Sequence, residues 1–360
     1  MNELLRSLLE SDGAVFAEVA GAPVARHFGD GAAEYAAVRE AAGIAVRSDR
    51  ARFRLWGKDP VRMLHGLVTN DLLKAEPGHG VYAAMLTPKG RMIADLRAFR
   101  RGDGEVLVSV AAEARDGVRD HLKKMVPPMF ARWEDATDSV LELGIYGPRS
   151  GGALGEVLPG TALPAEEDAF VEAEVEGGRV LAAATREAGL EEGFDLFVDT
   201  GAADALWRAL RARARPVGLG ALETLRVEAG RPRYGVDLTE ETIPTEAYEA
   251  AGLMERAISF SKGCYTGQEV VVRIAHRGHV NRHLRGLLMG DAPAPAMRTP
   301  LFDPASGKEV GWTTSAAHSP RFAQTVALGY VRRAVEPGAV VRIGAADGAE
   351  ATVAGLPFER

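Results

Sequence analysis

Apolar and polar positions follow two rhythms along the chain, and the rhythms segregate. Met1 to Glu10 sets leucines between charged residues in the manner of a short amphipathic helix, and Glu34 to Gly43 brings Tyr35, Val38 and Ala42 onto one face of another. Asp59-Pro60 opens a helix to about His65 by cap and first-turn proline, and Glu113 to Met125 forms a longer one ended by Pro127-Pro128. Strands are predicted at Arg52 to Trp56, Gly80 to Leu86, Arg91 to Arg100 and Glu105 to Val110, the last two joined through Gly102-Asp103-Gly104. Ser139 to Tyr146 is a strand, with a helix after Pro148. Phe170 to Val175 and Arg179 to Ala184 make a hairpin across Glu176-Gly177-Gly178, and Phe194 to Val198 is a further strand. Thr200 to Ala214 and Leu219 to Ala229 read as helices, the second stopped by Gly230.

Hairpins interleaved with helices predict antiparallel α+β sheets instead of a wound parallel sheet. After about residue 281 the helical period disappears. Arg282 to Met289, Glu309 to Ser315, Val326 to Val331 and Ala339 to Ile343 are strands separated by Gly, Pro and Asp turns, which predicts a small closed or nearly closed β-barrel.

Composition bounds what these elements serve. A chain of 360 residues exceeds what one core usually holds, so two or three domains are expected. Its 46% apolar and 26% charged residues are those of a globular protein, and a net charge of -7 speaks against a general nucleic-acid coat or an anionic membrane as main partner. No stretch has the length of a membrane span and no secretory signal opens the sequence, so the expected location is the cytoplasm. There is no G-x-G-x-x-G after a strand, no phosphate loop and no G-x-S-x-G elbow, so nucleotide-driven and serine-hydrolase chemistry have no support. The single cysteine excludes an intramolecular disulfide and an iron-sulfur cluster held by four of the chain's own thiolates.

That cysteine sits in Lys262-Gly263-Cys264-Tyr265-Thr266-Gly267-Gln268-Glu269, the stretch richest in chemistry. Thr266 and Glu269 have capping-box spacing, and Val270 to Val272 lead to Gly278 as a stop, so Cys264 is expected just ahead of a helix N-terminus. Amide N–H groups there and Lys262 nearby would favour a thiolate, with Gln268 and Glu269 within one turn of the sulfur. A lone cysteine is equally a small buried hydrophobe, and both readings stand at this level. His276, His279 and His283 have spacings of three and four, but Gly278 interrupts the helix and no carboxylate or second cysteine completes a ligand set, so no metal is expected. The basic run from Arg273 to Arg285 reads as a solvated face, with an anionic tail or RNA as the minority alternative.

With these residues in view, the octapeptide resembles that of the YgfZ-type folate-binding proteins, relatives of the glycine cleavage T-protein (aminomethyltransferase). Leu67-Val68-Thr69-Asn70-Asp71, Gly80-Val81-Tyr82, Thr87-Pro88-Lys89-Gly90 with Asp95, Glu191-Glu192-Gly193-Phe194-Asp195, Leu225 to Gly230, Ile243-Pro244-Thr245-Glu246, Gly311 to Ser315 and Ser319-Pro320 follow the superfamily's order. The resemblance implies two ferredoxin-like α+β domains (residues 1–50 with 136–280, carrying the cysteine, and 51–135) and a barrel over 281–360, ringed around tetrahydrofolate. It implies that Asn70, Tyr82, Asp95, Glu191 and Arg226 contact the folate, with acids for the pterin and the arginine for the glutamate tail. Two departures are visible. Ala94-Asp95 stands where the transferase tends to carry adjacent aspartates, and Cys264 stands where its motif lacks cysteine. Both push toward the YgfZ role, a tetrahydrofolate-binding accessory protein, leaning away from an enzyme, that supports iron-sulfur cluster assembly or repair, acts on tRNA modification indirectly, and meets its iron-sulfur clients transiently. There Cys264 reacts and Lys262, Gln268 and Glu269 tune it. The alternatives are a folate-dependent aminomethyl or one-carbon transferase using Asp95, and a binding module without chemistry.

Overall fold

Strand order decides where each polar residue of interest lies. The computed structural model describes residues 2–186, 188–189, 192–247, 250 and 253–359. The chain divides into two compact units, Met1–Leu67 with Asp71–Tyr82 and Asp95–Leu222, and Val68–Asn70 with Ala83–Ala94 and Glu223–Arg360. In chain order the first half carries α1 (Glu3–Ser11), β1 (Val15–Val19), β2 (Ala22–His27), α2 (Gly31–Glu40), β3 (Gly43–Val46), β4 (Arg50–Gly57), α3 (Pro60–His65), β5 (Gly80–Leu86), β6 (Met92–Arg100), β7 (Glu105–Ala111), α4 (Arg115–Met125), β8 (Ala131–Asp135), β9 (Val140–Tyr146) and α5 (Ser150–Val157). There follow β10 (Phe170–Val175), β11 (Gly178–Thr185), β12 (Gly193–Asp199), α6 (Ala203–Arg211), β13 (Arg215–Pro216), α7 (Leu219–Glu228), α8 (Leu253–Ala257) and α9 (Gln268–Arg277). The last part carries β14 (Arg282–Leu288), β15 (Pro300–Phe302), β16 (Glu309–Ser319), β17 (Gln324–Arg332), β18 (Val340–Ile343) and β19 (Ala349–Ala354).

Three sheets organise these elements, besides the β1-β2 hairpin. One runs β10-β11-β12-β9-β3-β13, a second β5-β6-β7-β4-β8, and the third closes into a six-stranded barrel, β14-β17-β16-β15-β18-β19. The α+β class and the closed barrel are therefore as the periodicity predicts. The six-stranded sheet buries Ile44, Leu143, Ile145 and Leu196 against α1, α5 and α6, with Trp207 of α6 only 1% exposed. Short fully buried strands escape periodicity: β3 reads Gly-Ile-Ala-Val with every residue inward, so no alternation marks it. The helix before it, placed at 34–43 from sequence, spans 31–40, because Asp30 caps it by accepting from Ala33 N at 3.0 Å.

Polar side chains fill much of the first unit's interior. Arg97 on β6 donates to Asp168 at 2.7 Å, to Asp195 and to the Ala184 carbonyl at 2.9 Å, while Tyr146 donates to Asp195 at 2.7 Å and accepts from Arg47 at 2.8 Å. Gly144 makes room for that tyrosine, since a Cβ there would stand 2.1 Å from its hydroxyl oxygen. Nearer the surface, Arg101 donates to both carboxylate oxygens of Glu172, at 2.7 and 3.1 Å. These hydrogen bonds hold Glu172 below the ordinary carboxylate range, against an opposing push from partial burial. A depressed folded-state value stabilises the fold above the unfolded value of about 4.3 and is lost as pH falls through the folded one. Comparing urea melts of the wild type and Glu172→Gln across acid pH, the stability gap is expected to be widest above pH ~5 and to close on acidification. A gap independent of pH would contradict this account of the pair.

Candidate active site

The segment after α3 carries no regular structure, so its backbone groups need partners elsewhere, and they find them in the cysteine segment. Thr69, fully buried, donates through Oγ1 to the Ala257 carbonyl at 2.7 Å and accepts from Ala84 N at 2.8 Å, and its own carbonyl accepts from Ser259 N at 3.0 Å. Asn70 Nδ2 donates to the Arg256 carbonyl at 2.8 Å. Lys262, 7% exposed, closes the arrangement: Nζ donates to the carbonyls of Val68 at 2.7 Å and Asn70 at 2.9 Å. The ammonium also lies 5.2 Å from the centre of the Tyr265 ring. Of the predicted site residues, Lys262 and Asn70 thus meet directly, and the lysine charge goes to backbone carbonyls. Thr69, the hub of this contact, was not singled out from sequence, because a threonine before Asn-Asp carries no chemical signal of its own.

The turn into α9 corrects one expectation. The capping box does not form: Gly267 takes the N-cap position at φ 83, no side chain caps the helix, and Gln268 N bonds the Tyr265 carbonyl at 3.2 Å. A Cβ on Gly267 would lie 2.6 Å from the Thr87 carbonyl oxygen, so left-handed backbone and close approach both require glycine. The N-cap is filled by a residue that lets α9 pack on the Thr87–Gly90 turn, where Thr266 could not serve. Glu269 lies exposed in the first turn and Gln268 is half-buried.

Cys264 is exposed, so it is not the small buried hydrophobe of the alternative reading. Beside it Tyr265 is 7% exposed, and burial pushes its hydroxyl up to about 12. Iodoacetamide is therefore expected to label Cys264 stoichiometrically in the folded protein without denaturant, read by intact mass. Protection until the chain is unfolded would contradict the exposed placement.

Arg226 lies on α7 in the same unit as the barrel, 7% exposed. NH1 donates to Asp237 at 2.7 Å and to the Arg231 carbonyl at 3.1 Å; NH2 donates to Glu223 at 2.6 Å and to Ser315 Oγ at 2.8 Å. Ser315 in turn donates to Asp237 at 2.7 Å, and Tyr330 donates to the Asp237 carbonyl at 3.0 Å. Although burial opposes a charge, the two carboxylates raise Arg226 above its already high range, so it is a permanent cation. Asp237 was missed from sequence, as an aspartate after Tyr234-Gly235-Val236 looks like any turn acid.

In the first unit, Tyr82 OH donates to Asp95 Oδ2 at 2.8 Å, with the two residues 5% and 8% exposed. Asp95 and Arg97 are two apart on β6 and share a face of the sheet. Glu191 lies outside the described residues. The basic run does not form one solvated face. Arg285 is 6% exposed, and Arg282 makes a two-pronged pair with Glu246 at 2.9 and 3.1 Å while lying about 5 Å from the ring centres of Trp312 and Tyr330. Next to this pair the Thr87–Arg91 turn borders a cleft of about 890 Å³, at which Arg91 NH1 donates to the Glu241 carbonyl at 2.6 Å.

The sequence matches the GCVT N-terminal domain over residues 5–262 and the glycine cleavage T-protein C-terminal barrel domain over residues 282–358. The chain belongs to the glycine cleavage T-protein family. An aminomethyltransferase of Rubrobacter xylanophilus is 33% identical over 91% of this chain and 86% of its own length. One of Saccharopolyspora erythraea is 31% identical over 99% of this chain and 97% of its own. The crystal structure of glycine cleavage system aminomethyltransferase T from Bartonella henselae superposes with a TM-score of 0.86 at 24% identity, covering 99% of this chain and 97% of that one, and so shares the fold. These T-protein relatives carry the transferase's name. They support the superfamily drawn from the sequence but not its lean toward a protein without turnover.

Proposed function

We propose that the chain binds tetrahydrofolate or a one-carbon derivative of it and acts as a folate-dependent aminomethyl, or other one-carbon, transferase. The observation that carries this reading is the near-complete alignment, at 31 to 33% identity, with relatives named aminomethyltransferases. In this reading Asp95 is the acid set against the reactive nitrogen of the pterin, and Tyr82 orients its carboxylate. Asn70 and Glu191 contact the ring. Arg226, whose N–H groups go to Asp237, Glu223 and Ser315, acts by bracing the wall near the glutamate tail. The experiment is turnover of 5,10-methylenetetrahydrofolate with ammonia and a thiol acceptor together, in which the methylene carbon leaves N5 and N10 as an S-aminomethyl group on the thiol and tetrahydrofolate is released. Asp95→Asn is expected to lower kcat by roughly 10²- to 10³-fold with tetrahydrofolate affinity kept, the loss typical of removing one preorganised polar group. Wild-type turnover at the uncatalysed rate would count against a transferase.

A second reading is favoured by Cys264, exposed in a loop that Lys262 braces by two hydrogen bonds to backbone carbonyls. Here the chain is a YgfZ-type tetrahydrofolate-binding accessory protein for iron-sulfur cluster assembly or repair, with transient client proteins and an indirect effect on tRNA modification. Cys264→Ser separates the two. Under the first reading folate turnover survives the change. Under the second, cells lose cluster-dependent dehydratase activity under oxidative stress while folate binding stays intact.

A further inference from the structure

A cleft of about 680 Å³ in the first unit takes no part in the residues discussed above. Alanines such as Ala41 and Ala212 form much of its wall, and four arginines, Arg149, Arg211, Arg213 and Arg215, border it. The fold accounts for two of them. Arg211 Nε lies 3.1 Å from Asp12, and Arg213 Nε lies 2.9 Å from Glu156 while its NH1 donates to the Ala209 carbonyl, near the end of α6 where a cation is favoured. Arg149 and Arg215 have no such explanation. Both are exposed, and among the described residues neither guanidinium has a carboxylate or hydrogen-bond partner. Yet their backbones are fixed on consecutive residues: Arg149 N donates to the Ala41 carbonyl at 2.8 Å and Arg215 N to the Ala42 carbonyl at 3.0 Å. The two side chains therefore start from a rigid pair of points on one cleft. Asp12 and Glu40 are the acids bordering it, and Asp12 is already engaged by Arg211 and by Trp207 Nε1 at 3.1 Å. In a chain of net charge -7, this is a local surplus of positive charge that packing does not require.

We infer that this cleft binds a small phosphate-bearing ligand, with Arg149 and Arg215 as the two guanidinium forks on the phosphate. Guanidinium presents paired N–H donors that match phosphate oxygens, which an exposed lysine does not. The volume lies in the range of small-molecule sites, roughly 300 to 1,000 Å³, and the alanine wall with the nearby Phe28 ring offers an apolar seat for an organic part. This inference does not depend on the folate reading.

Calorimetric titration of ADP, and separately of inorganic pyrophosphate, into the 360-residue chain tests it. One saturable site is expected, with Kd on the order of 10 to 100 μM, weakened by added salt. Combining Arg149→Ala with Arg215→Ala is expected to lower that affinity at least about tenfold, since both forks are lost. The melting temperature should stay unchanged, because both side chains are exposed. Arg208→Ala, outside the cleft lining, should leave binding as it was. ADP binding tighter than pyrophosphate supports the inference with the organic part seated on the wall; equal affinities support it with phosphate alone recognised. Absence of binding by both probes, or binding that survives the double substitution, overturns it. So does RNA that binds far more tightly than ADP and gains affinity with length, which would make the surface a nucleic-acid contact.

Discussion

Asp195→Ala is expected to cost about 3 to 5 kcal/mol of unfolding free energy, the range for breaking a buried charge pair from one side. Asp195 is fully buried and accepts from Arg97 and from Tyr146. Burial pushes the Tyr146 hydroxyl well above its usual range, so it stays an O–H donor. Removing the carboxylate leaves that donor and part of the Arg97 guanidinium without an acceptor in a region water does not reach. Arg97 would keep Asp168 and the Ala184 carbonyl, which sets an upper bound on the loss. Urea melts of the wild type, Asp195→Ala and a double variant with Arg97→Met make the check. The single change should lose most of this, and the double should recover none of it, because replacing Arg97 also takes the guanidinium donor from the Asp168 carboxylate. A single-variant loss within about 1 kcal/mol would place this network among surface-like pairs and contradict the account.

Arg226→Ala carries the second large effect, also about 3 to 5 kcal/mol, for the same reason in the other unit. Asp237 is 1% exposed and draws on Arg226, Ser315 and Thr314 together, so its negative charge is tolerated only with the guanidinium in place. Adding Asp237→Leu to Arg226→Leu should restore stability toward the wild type. If Arg226→Ala instead left the melting temperature unchanged while abolishing folate binding, the bracing role assigned to it would be wrong and a direct ligand role right.

The contrast between these two networks and the rest of the chain explains what the sequence made legible. The barrel was readable because apolar runs such as β17 stand between Gly, Pro and Asp turns, while β15, with three residues, and the buried β3 carry too little pattern to register. The cysteine segment was readable as a place, since glycines and a lone cysteine among charged residues are rare together. Its geometry was not. Thr266 and Glu269 have the right spacing for a cap, and tertiary packing on the Thr87 carbonyl gave the position to Gly267. Lys262 looked like a neighbour for the thiol, yet the backbone carbonyls of Val68 and Asn70, some 190 residues earlier, claimed it. Glu34 shows the same limit: read from sequence only as the start of a helix, it is 1% exposed and accepts from the amides of Phe28 and Gly218 at 2.7 and 2.8 Å. Long-range acceptors are invisible in a local window.

Both functional readings keep Asn70, Asp95 and Glu191 beside the folate, and nothing in either works unless the pterin is bound. Titration of tetrahydrofolate into the purified chain under anaerobic conditions, followed by heat and by protein fluorescence, asks this directly. Saturable binding with one folate per chain is the predicted result. A flat titration at concentrations well above those of a millimolar ligand site would contradict it.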